Sequence, residues 1–232
     1  QCLSSVIKYC SPERPDNFRS MAVGGIAEVI DFMGPVCKDY VPTLFPIAIQ
    51  YLQDSSIDVR RNSTYLAGVL AIAGGSDAAP FLPQATELIM NLTILPEDQS
   101  KHTATLMGCR DNAIASLAKF IVSNPQTMPL AQFLPVVVQG IPLKDDVLEG
   151  AKVYPIVCQA FEFAPEVMMP LIPQVIDAFT QIFAQPSLLD ETKVVMVALI
   201  KSLIAKFPSE MQSVVAALPA PQQQAFQEAM SA

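Results

Sequence analysis

The sequence from Pro129 to Phe163 reads PLAQFLPVVVQGIPLKDDVLEGAKVYPIVCQAFEF. An apolar segment is interrupted at Gly140 and Pro142, and the polar turn 144–146 separates it from a second apolar segment. Pro142 ends the first segment because the residue before a proline is disfavoured in the α region. Pro135 is expected in a first helical turn, where its missing N–H has no partner to lose. The pattern predicts a helix, a tight turn and a second helix.

The second segment carries apolar residues at spacings of three and four, which is the period of one helical face. These residues are Val147, Leu148, Ala151, Tyr154, Val157, Cys158 and Phe161. Neither helix can bury its apolar face alone, so each helix must pack against its partner and against further elements.

The same pattern recurs along the chain. Two large apolar residues followed by proline occur early in four apolar segments, at 44–46, 81–83, 133–135 and 171–173. The first and third spacings lie close to the roughly 40 to 47 residues of a HEAT or armadillo unit. The second spacing is longer because it contains the polar segment 96–102, which would lengthen a turn.

Caps and apolar periodicity predict the remaining helices. We expect them at 18–33, 40–52, 57–73, 79–95, 103–122, 167–183, 189–207, 211–218 and 222–230. Asp16 and Asn17 are expected to cap the first of these, and Ser56 with Asp58 to begin the third. No useful strand-period alternation occurs. The predicted fold class is all-α, a right-handed α-α superhelix of about five HEAT-type helix pairs.

The chain is expected to be one continuous HEAT-repeat array over residues 1–232, because a repeat array has no internal domain boundary. Residues 1–9 resemble the end of a helix, and the chain does not begin with methionine. We therefore expect a C-terminal fragment of a longer solenoid. The glutamine-rich helices of 208–232 are expected to form the terminal cap.

The apolar content is high, with 51% hydrophobic residues and a mean hydropathy of +0.37. Such a chain either has a dense core or lies in a membrane. The longest uncharged stretch, 120–143, could span a bilayer by length. It contains four prolines and several polar residues, so we expect no transmembrane segment. The start lacks the basic and apolar regions of a signal peptide.

Charge and cysteine content restrict the environment and the partners. The net charge of −8 argues against nucleic acid and anionic lipid, and it favours either a basic partner or good solubility. Dispersed cysteines in odd number predict reduced core thiols of an intracellular protein. The cysteines are Cys2, Cys10, Cys37, Cys109 and Cys158.

Acidic residues in or near the first turns of the predicted second helices form the candidate binding set. They are Asp58, Asp111, Asp145, Asp146, Glu149, Asp190 and Glu191. Stacked helix pairs would align them in a row along which a lysine-rich segment could bind. Alternatively, each carboxylate serves only its own helix, which is worth about 0.3 to 1 kcal/mol. An exposed ion pair contributes roughly 0 to 1 kcal/mol and micromolar binding needs about 8 kcal/mol, so several acids must act together.

Polar residues next to these acids allow two interpretations. Asn62 and Asn112 could hold the backbone of a bound segment, or they could cap helices and hydrogen-bond between repeats. Arg60, Arg61 and Arg110 are expected to bond to carboxylates of neighbouring repeats rather than to bind phosphate.

The sequence offers little for catalysis. His102 is the single histidine, and no activated serine or cysteine is indicated near it. No ligand spacing suggests a metal site, and the Gly-Gly pairs lack the lysine of a phosphate-binding loop. Tyr65 and Tyr154 could flank a lysine stem, although aromatics on a helical stripe usually belong to the core. We expect no enzyme activity, catalytic residue, metal or cofactor.

Several segments resemble a known family. Residues 141–146, IPLKDD, are similar to an "LPLKED" turn, and residues 111–121 are similar to a "DN…A…ARLI" helix. Residues 58–62 fit the general HEAT pattern, and residues 218–224 resemble a closing "LPPEQQ" with alanine at 220 and glutamine at 222 as departures. On these motifs the chain resembles the HEAT-repeat karyopherins of the importin-beta superfamily, in particular the importin four branch.

The resemblance implies a nuclear transport receptor that shuttles between cytoplasm and nucleus. Basic cargo such as histones or ribosomal proteins would bind a concave face lined by second helices. Nucleoporin Phe-Gly repeats would bind the convex face, and Ran-GTP would bind mainly through N-terminal repeats absent from this chain. The alternative is a static HEAT scaffold, such as a structural subunit of a phosphatase or chromatin assembly, which would be indifferent to the charge of its partner.

Overall fold

A computed structural model describes residues 2–231, with only the backbone of Cys2. The helices are α1 (Cys2–Ile7), α2 (Asp16–Met33), α3 (Val41–Tyr51), α4 (Ile57–Gly74), α5 (Leu82–Leu92), α6 (Ala104–Ser123), α7 (Leu130–Gly140), α8 (Gly150–Phe163), α9 (Pro165–Met168), α10 (Ile172–Phe183), α11 (Asp190–Lys206), α12 (Pro208–Ala217) and α13 (Ala220–Ser231). Short 3-10 segments connect several of them, and no strand occurs within 2–231. The predicted all-α class is confirmed.

Five consecutive helix pairs follow α2 in the described part of the chain. They are α3–α4, α5–α6, α7–α8, α10–α11 and α12–α13. Glycines end α2 and α4, where Gly34 and Gly75 have φ of 59° and 52°. Their N–H groups donate to the carbonyl oxygens of Ile30 and Ala71. Glycine adopts this left-handed region without steric cost.

Two details of the predicted helix starts are wrong. Asp16 is the first residue of α2 rather than its cap, and Pro15 occupies the cap position without a side-chain hydrogen bond. Pro135 lies inside α7, which already begins at Leu130. Phe133 is 5% exposed, and this burial holds the helix together across a proline that removes one backbone hydrogen bond.

Unit 1 is a compact body formed by residues up to 129 together with 144–146. The second helices α2, α4 and α6 lie side by side with α4 in the middle, and α3 and α5 pack against α4 and α6. Phe45 is central to the core, with ring centroids 5.1 Å from Phe81 and 6.4 Å from Phe120.

Glycines allow the second helices of unit 1 to approach closely. A Cβ atom on Gly68 of α4 would lie 2.6 Å from Ser116 Oγ and 3.2 Å from Ser116 Cα in α6. A Cβ atom on Gly24 of α2 would lie 3.0 Å from the Asn62 side chain in α4. The Ser116 hydroxyl also donates to the Thr64 carbonyl oxygen at 2.6 Å. Small residues therefore set the short distance between neighbouring helices.

Unit 2 is a second compact body formed by residues 130–143 and 147–232, and its description ends at Ser231. Its second helices α8 and α11 are neighbours, and α13 packs against α10. Gln222 of α13 donates to Asp177 Oδ1 at 3.0 Å, while Phe226 and Ala229 are buried. The single array over 1–232 and the capping role of 208–232 stay predictions.

Two apolar stretches, 16–51 and 57–92, are long enough to cross a membrane by length and composition. In the structure each stretch is two helices joined by a 3-10 segment. Buried residues make up 33% and 50% of their most apolar windows. Core helices of folded proteins give the same pattern, so the expected absence of a membrane-spanning segment stays a prediction.

Four of the five cysteines are buried free thiols, as expected for core residues: Cys10, Cys37, Cys109 and Cys158. Burial raises the pKa of Cys10 and Cys109 to about 11 and that of Cys158 to about 12. The side chain of Cys2 lies outside the described residues.

Candidate functional site

The carboxylate of Asp111, on α6, organises the loop 144–146. Asp111 is 0% exposed, and its Oδ2 accepts the backbone N–H groups of Lys144, Asp145 and Asp146 at 2.7, 2.7 and 3.1 Å. Arg110 Nη1 lies 3.2 Å from Oδ1. Both oxygens are therefore used within unit 1. In this structure the loop covers the Asp111 carboxylate, so the geometry does not favour the expected cargo contact, which stays a prediction.

Arg61, on α4, binds the side chains of the same loop. Its Nη2 lies 3.1 Å from Asp146 Oδ2 and 3.4 Å from Asp145 Oδ2. A Cβ atom on Gly108 of α6 would lie 2.5 Å from Arg61 Cζ and 2.6 Å from Asp145 Oδ2. Glycine at 108 thus makes room for the pair. The prediction that arginines bond to carboxylates of neighbouring repeats is met at Arg61.

The two asparagines connect second helices of unit 1. Asn62 Nδ2 donates to the carbonyl oxygen and the hydroxyl of Ser20 on α2, both at 2.9 Å. Asn112 is 4% exposed, and its Nδ2 lies 3.5 Å from the Arg61 carbonyl oxygen on α4. These contacts favour the inter-repeat interpretation over contact with a bound segment.

Glu149 in unit 2 is likewise enclosed. It is 7% exposed, and its Oε1 lies 3.8 Å from Lys152 Nζ. Burial and the contact with Lys152 do not favour the cargo contact expected of Glu149, which stays a prediction.

Three of the expected carboxylates remain open to solvent. Asp58 lies in the first turn of α4 in unit 1, and Asp190 and Glu191 begin α11 in unit 2. All three are exposed, and none makes a side-chain hydrogen bond or ion pair with another described residue. The accessible part of the predicted set is therefore smaller than the sequence suggested.

The sequence analysis missed the ion pair between Arg19 and Asp54. Arg19 Nε and Nη2 donate to the two carboxylate oxygens at 3.0 and 2.9 Å, and the side chains are 12% and 8% exposed. Burial raises the pKa of Asp54, but the hydrogen bonds from Arg19 and the Ser56 backbone and the charge of Arg60 outweigh it. The net pKa of Asp54 lies below its usual value. Helical periodicity gives no signal for such a pair, 35 positions apart.

Tyr65 and Tyr154 have partners within the chain. Lys119 of α6 is 2% exposed, and its Nζ lies 5.0 Å from the centroid of the Tyr65 ring. The buried Tyr154 hydroxyl accepts the Leu143 N–H at 3.3 Å. Tyr65 thus flanks a lysine stem as one interpretation suggested, but the lysine belongs to the same unit.

Nothing in the described residues forms a metal-binding group of three or more histidine, cysteine or acidic side chains. His102 Nε2 lies 2.8 Å from the Pro96 carbonyl oxygen, within the polar segment. The absence of a cofactor and of catalytic residues stays a prediction.

Comparison with known proteins finds relatives over most of the chain. Importin-4 of Homo sapiens is 25% identical over 209 residues, covering 90% of this chain and 19% of that protein. Importin-4 of Mus musculus is 24% identical over 212 residues, covering 91% and 19%. Probable importin subunit beta-4 of Schizosaccharomyces pombe is 24% identical over 206 residues, covering 88% and 18%. The chain thus spans about a fifth of the length of these relatives. No protein-family model matches.

Two crystal structures of engineered proteins are similar in fold. One has a TM-score of 0.53 and 13% identity, covering 100% of this chain and 98% of that chain. The other has a TM-score of 0.54 and 12% identity, covering 100% and 96%. At these identities the likeness supports the all-α fold alone.

Proposed function

We propose that the chain is a HEAT-repeat protein of the importin-beta family and that it binds basic protein segments as part of a nuclear transport receptor. The observation that carries the proposal is the similarity to importins over about nine-tenths of the chain. The net charge of −8 supports it, because a negative surface attracts lysine-rich and arginine-rich segments.

The exposed carboxylates Asp58, Asp190 and Glu191 are the proposed contacts. Each lies in the first turn of a second helix and is exposed. The buried acid Asp111 has a different role, because Asp111 and Arg61 hold the loop 144–146 between α7 and α8. We therefore propose that binding uses the exposed acids rather than those that hold the loop.

The proposed partners follow from the family. Basic cargo such as histones or ribosomal proteins would contact this chain, and shuttling between cytoplasm and nucleus belongs to the whole receptor. Contacts with nucleoporin Phe-Gly repeats, and with Ran-GTP through repeats outside this chain, are part of the same proposal.

A charge-neutralising experiment tests the proposal. The full chain is titrated with a labelled lysine-rich peptide at low and high salt, using fluorescence anisotropy. In the test variant Asp58→Asn, Asp190→Asn and Glu191→Gln are combined. Three exposed pairs at roughly 0.5 kcal/mol each predict about a tenfold weaker affinity. The wild-type affinity should also fall with salt.

The control variant combines Asp77→Asn, Glu87→Gln and Glu97→Gln, which are exposed and lie away from second helices. It removes the same charge, so a general effect of net charge would weaken binding equally in both variants. Equal weakening, or an affinity that does not change with salt, would contradict the proposed contacts.

A static scaffold is the second candidate function. It is favoured by the internal use of Asp111, Asp145, Asp146 and Glu149, which stiffens the chain without serving a ligand. Its partners would bind by apolar and loop contacts. The same titration separates the two functions, since a scaffold predicts no preference for the lysine-rich peptide.

A further inference from the structure

The second helices of unit 2 pack less closely than those of unit 1. α11 contains no glycine, and the single glycine of α8, Gly150, is its first residue. The space beside Gly150 is taken by Tyr154 of the same helix, 2.6 Å from a Cβ atom built there. The glycine contacts that bring α4 and α6 together therefore have no counterpart between α8 and α11.

A cavity lies between the C-terminal halves of α8 and α11. Its volume is about 520 Å³, within the roughly 300 to 1,000 Å³ of sites that hold ligands. Its walls are mainly apolar and include Phe161, Met169, Val195, Leu199 and Phe207. We call it the α8–α11 cavity.

A second, smaller depression of about 40 Å³ lies beside the N-terminal end of α8. Leu148 and Leu189 line it and are 78% and 53% exposed. Large apolar side chains this exposed cost free energy in water. The same pair of helices thus offers apolar surface at both ends.

The charges at the two ends differ. Asp190 and Glu191, exposed and without partners among the described residues, follow Leu189 directly. Glu162 and Lys206, of opposite charge, border the α8–α11 cavity. At the N-terminal end Lys152 pairs with Glu149, and Lys193 offsets only one of the two acids of α11, so this end is negative overall. The C-terminal end carries no net charge from Glu162 and Lys206.

We propose that this surface binds an extended segment of a basic protein partner through two large apolar side chains. One side chain enters the α8–α11 cavity and the other covers Leu148 and Leu189. Lysine or arginine next to the second one pairs with Asp190 and Glu191. The proposal rests on the proposed function and adds an apolar requirement to it.

The length of α8 sets the spacing of the two anchors. Its 14 residues extend over about 21 Å, which an extended peptide covers in about six or seven residues. Charge selects the occupant, because the acids at the N-terminal end favour a basic segment over an uncharged one. A neutral partner would leave both carboxylates partly desolvated and unpaired.

The experiment compares two labelled peptides of equal positive charge with the full chain. One carries two leucines about six residues apart, with lysines beside one of them, and the other has serine in place of both leucines. We expect the leucine peptide to bind at least about tenfold tighter, since burying each leucine side chain favours binding.

Ala198→Trp is the blocking variant, because Ala198 is exposed on α11 and lines the cavity. Ala205→Trp is the matched control, because Ala205 is also exposed, lies on the same helix and is not part of the cavity lining. Ala198→Trp should remove the preference for leucine, and Ala205→Trp should retain it. Circular dichroism of both variants confirms that the helices are intact.

The outcomes separate the two proposals. If neither peptide binds, the proposed function fails and this inference with it. If both peptides bind equally in a salt-dependent way, the apolar site is refuted and the proposed function stands. Equal binding of an uncharged Phe-Gly peptide, or self-association that Ala198→Trp abolishes, would also overturn the assignment of a basic occupant.

Discussion

Individual carboxylates in this chain differ in role although they occupy similar sequence positions. Asp58 and Asp111 both lie in second helices near an arginine, yet one is exposed and the other fully buried. The difference arises because the loop 144–146 folds over Asp111 and supplies three N–H donors. The three N–H donors satisfy the hydrogen-bonding capacity of this buried carboxylate.

Replacing Asp111 by asparagine should destabilise the protein by about 2 to 4 kcal/mol, because an amide presents an N–H₂ group or a neutral oxygen to three donors. The measurement is urea-induced unfolding followed by circular dichroism. Asp58→Asn serves as the control and should leave the unfolding free energy nearly unchanged. Similar losses in both variants would refute the organising role of Asp111.

The ion pair of Asp54 with Arg19 makes a pH-dependent contribution. Replacing Asp54 by asparagine should cost about 1.5 to 3 kcal/mol at neutral pH, since hydrogen bonds to charged groups are lost. Because the folded pKa of Asp54 is depressed, its contribution is complete above the ordinary carboxyl pKa and disappears as pH falls through the folded pKa. Urea unfolding of both proteins between neutral and strongly acidic pH measures it.

The free-energy gap between wild type and Asp54→Asn should therefore stay constant on moderate acidification and close only below the ordinary pKa of aspartate. Asp39→Asn, at an exposed position outside the pair, should show no comparable gap. A gap that closes already near neutral pH would show that another group is responsible.

The sequence predicted the positions of the helices better than the contacts between them. Apolar periodicity and glycine placement predicted nearly all helices, and α4 and α11 begin and end within two residues of expectation. The predicted starts of the first helices at 79 and 167 were too early. α5 and α10 begin at Leu82 and Ile172, after 3-10 segments that share the apolar periodicity. The sequence predicted that Arg61 bonds to a carboxylate, but not that the partners are Asp145 and Asp146, since the choice of partner depends on packing between distant segments.

The close contact of Gly68 in α4 with α6 can be tested by substitution. Gly68→Ala should destabilise the protein by about 1 to 3 kcal/mol through overpacking, because the new Cβ atom would meet Ser116 Oγ at 2.6 Å. Gly25→Ala, on α2 with nothing within 4 Å of the new atom, should instead stabilise by about 0.5 to 1 kcal/mol. Thermal unfolding of both variants measures the difference, and equal signs would contradict it.

For the whole molecule, the all-α class was predicted correctly for the described residues, and the predicted resemblance to importins agrees with the similarity over about nine-tenths of the chain. Repeated proline motifs indicated helix pairs, and the same acids that mark second helices suggested an acidic row. Folding uses four of those carboxylates internally, at Asp111, Asp145, Asp146 and Glu149. Sequence position alone cannot separate a carboxylate that binds a partner from one that holds its own chain.

The buried thiols give a prediction for the whole molecule. In a Cys2→Ser variant the four buried cysteines should react slowly with an aromatic disulfide reagent at pH 8. The reason is that burial raises their pKa values, to about 11 for Cys10 and Cys109 and about 12 for Cys158, and shields the sulfur atoms. Denaturant should make all four reactive, and rapid reaction of the native protein would contradict the buried placement.

Residues 144–146 belong to unit 1 although they follow part of unit 2 in the sequence. This affects where the protein can be shortened. A protein shortened to residues 1–129 would keep every helix of that unit but lose the amides that Asp111 accepts and the acids that Arg61 binds. The buried Asp111 carboxylate would then lack the three N–H donors that residues 144–146 supply. Expression of the first half therefore requires an end point beyond Asp146.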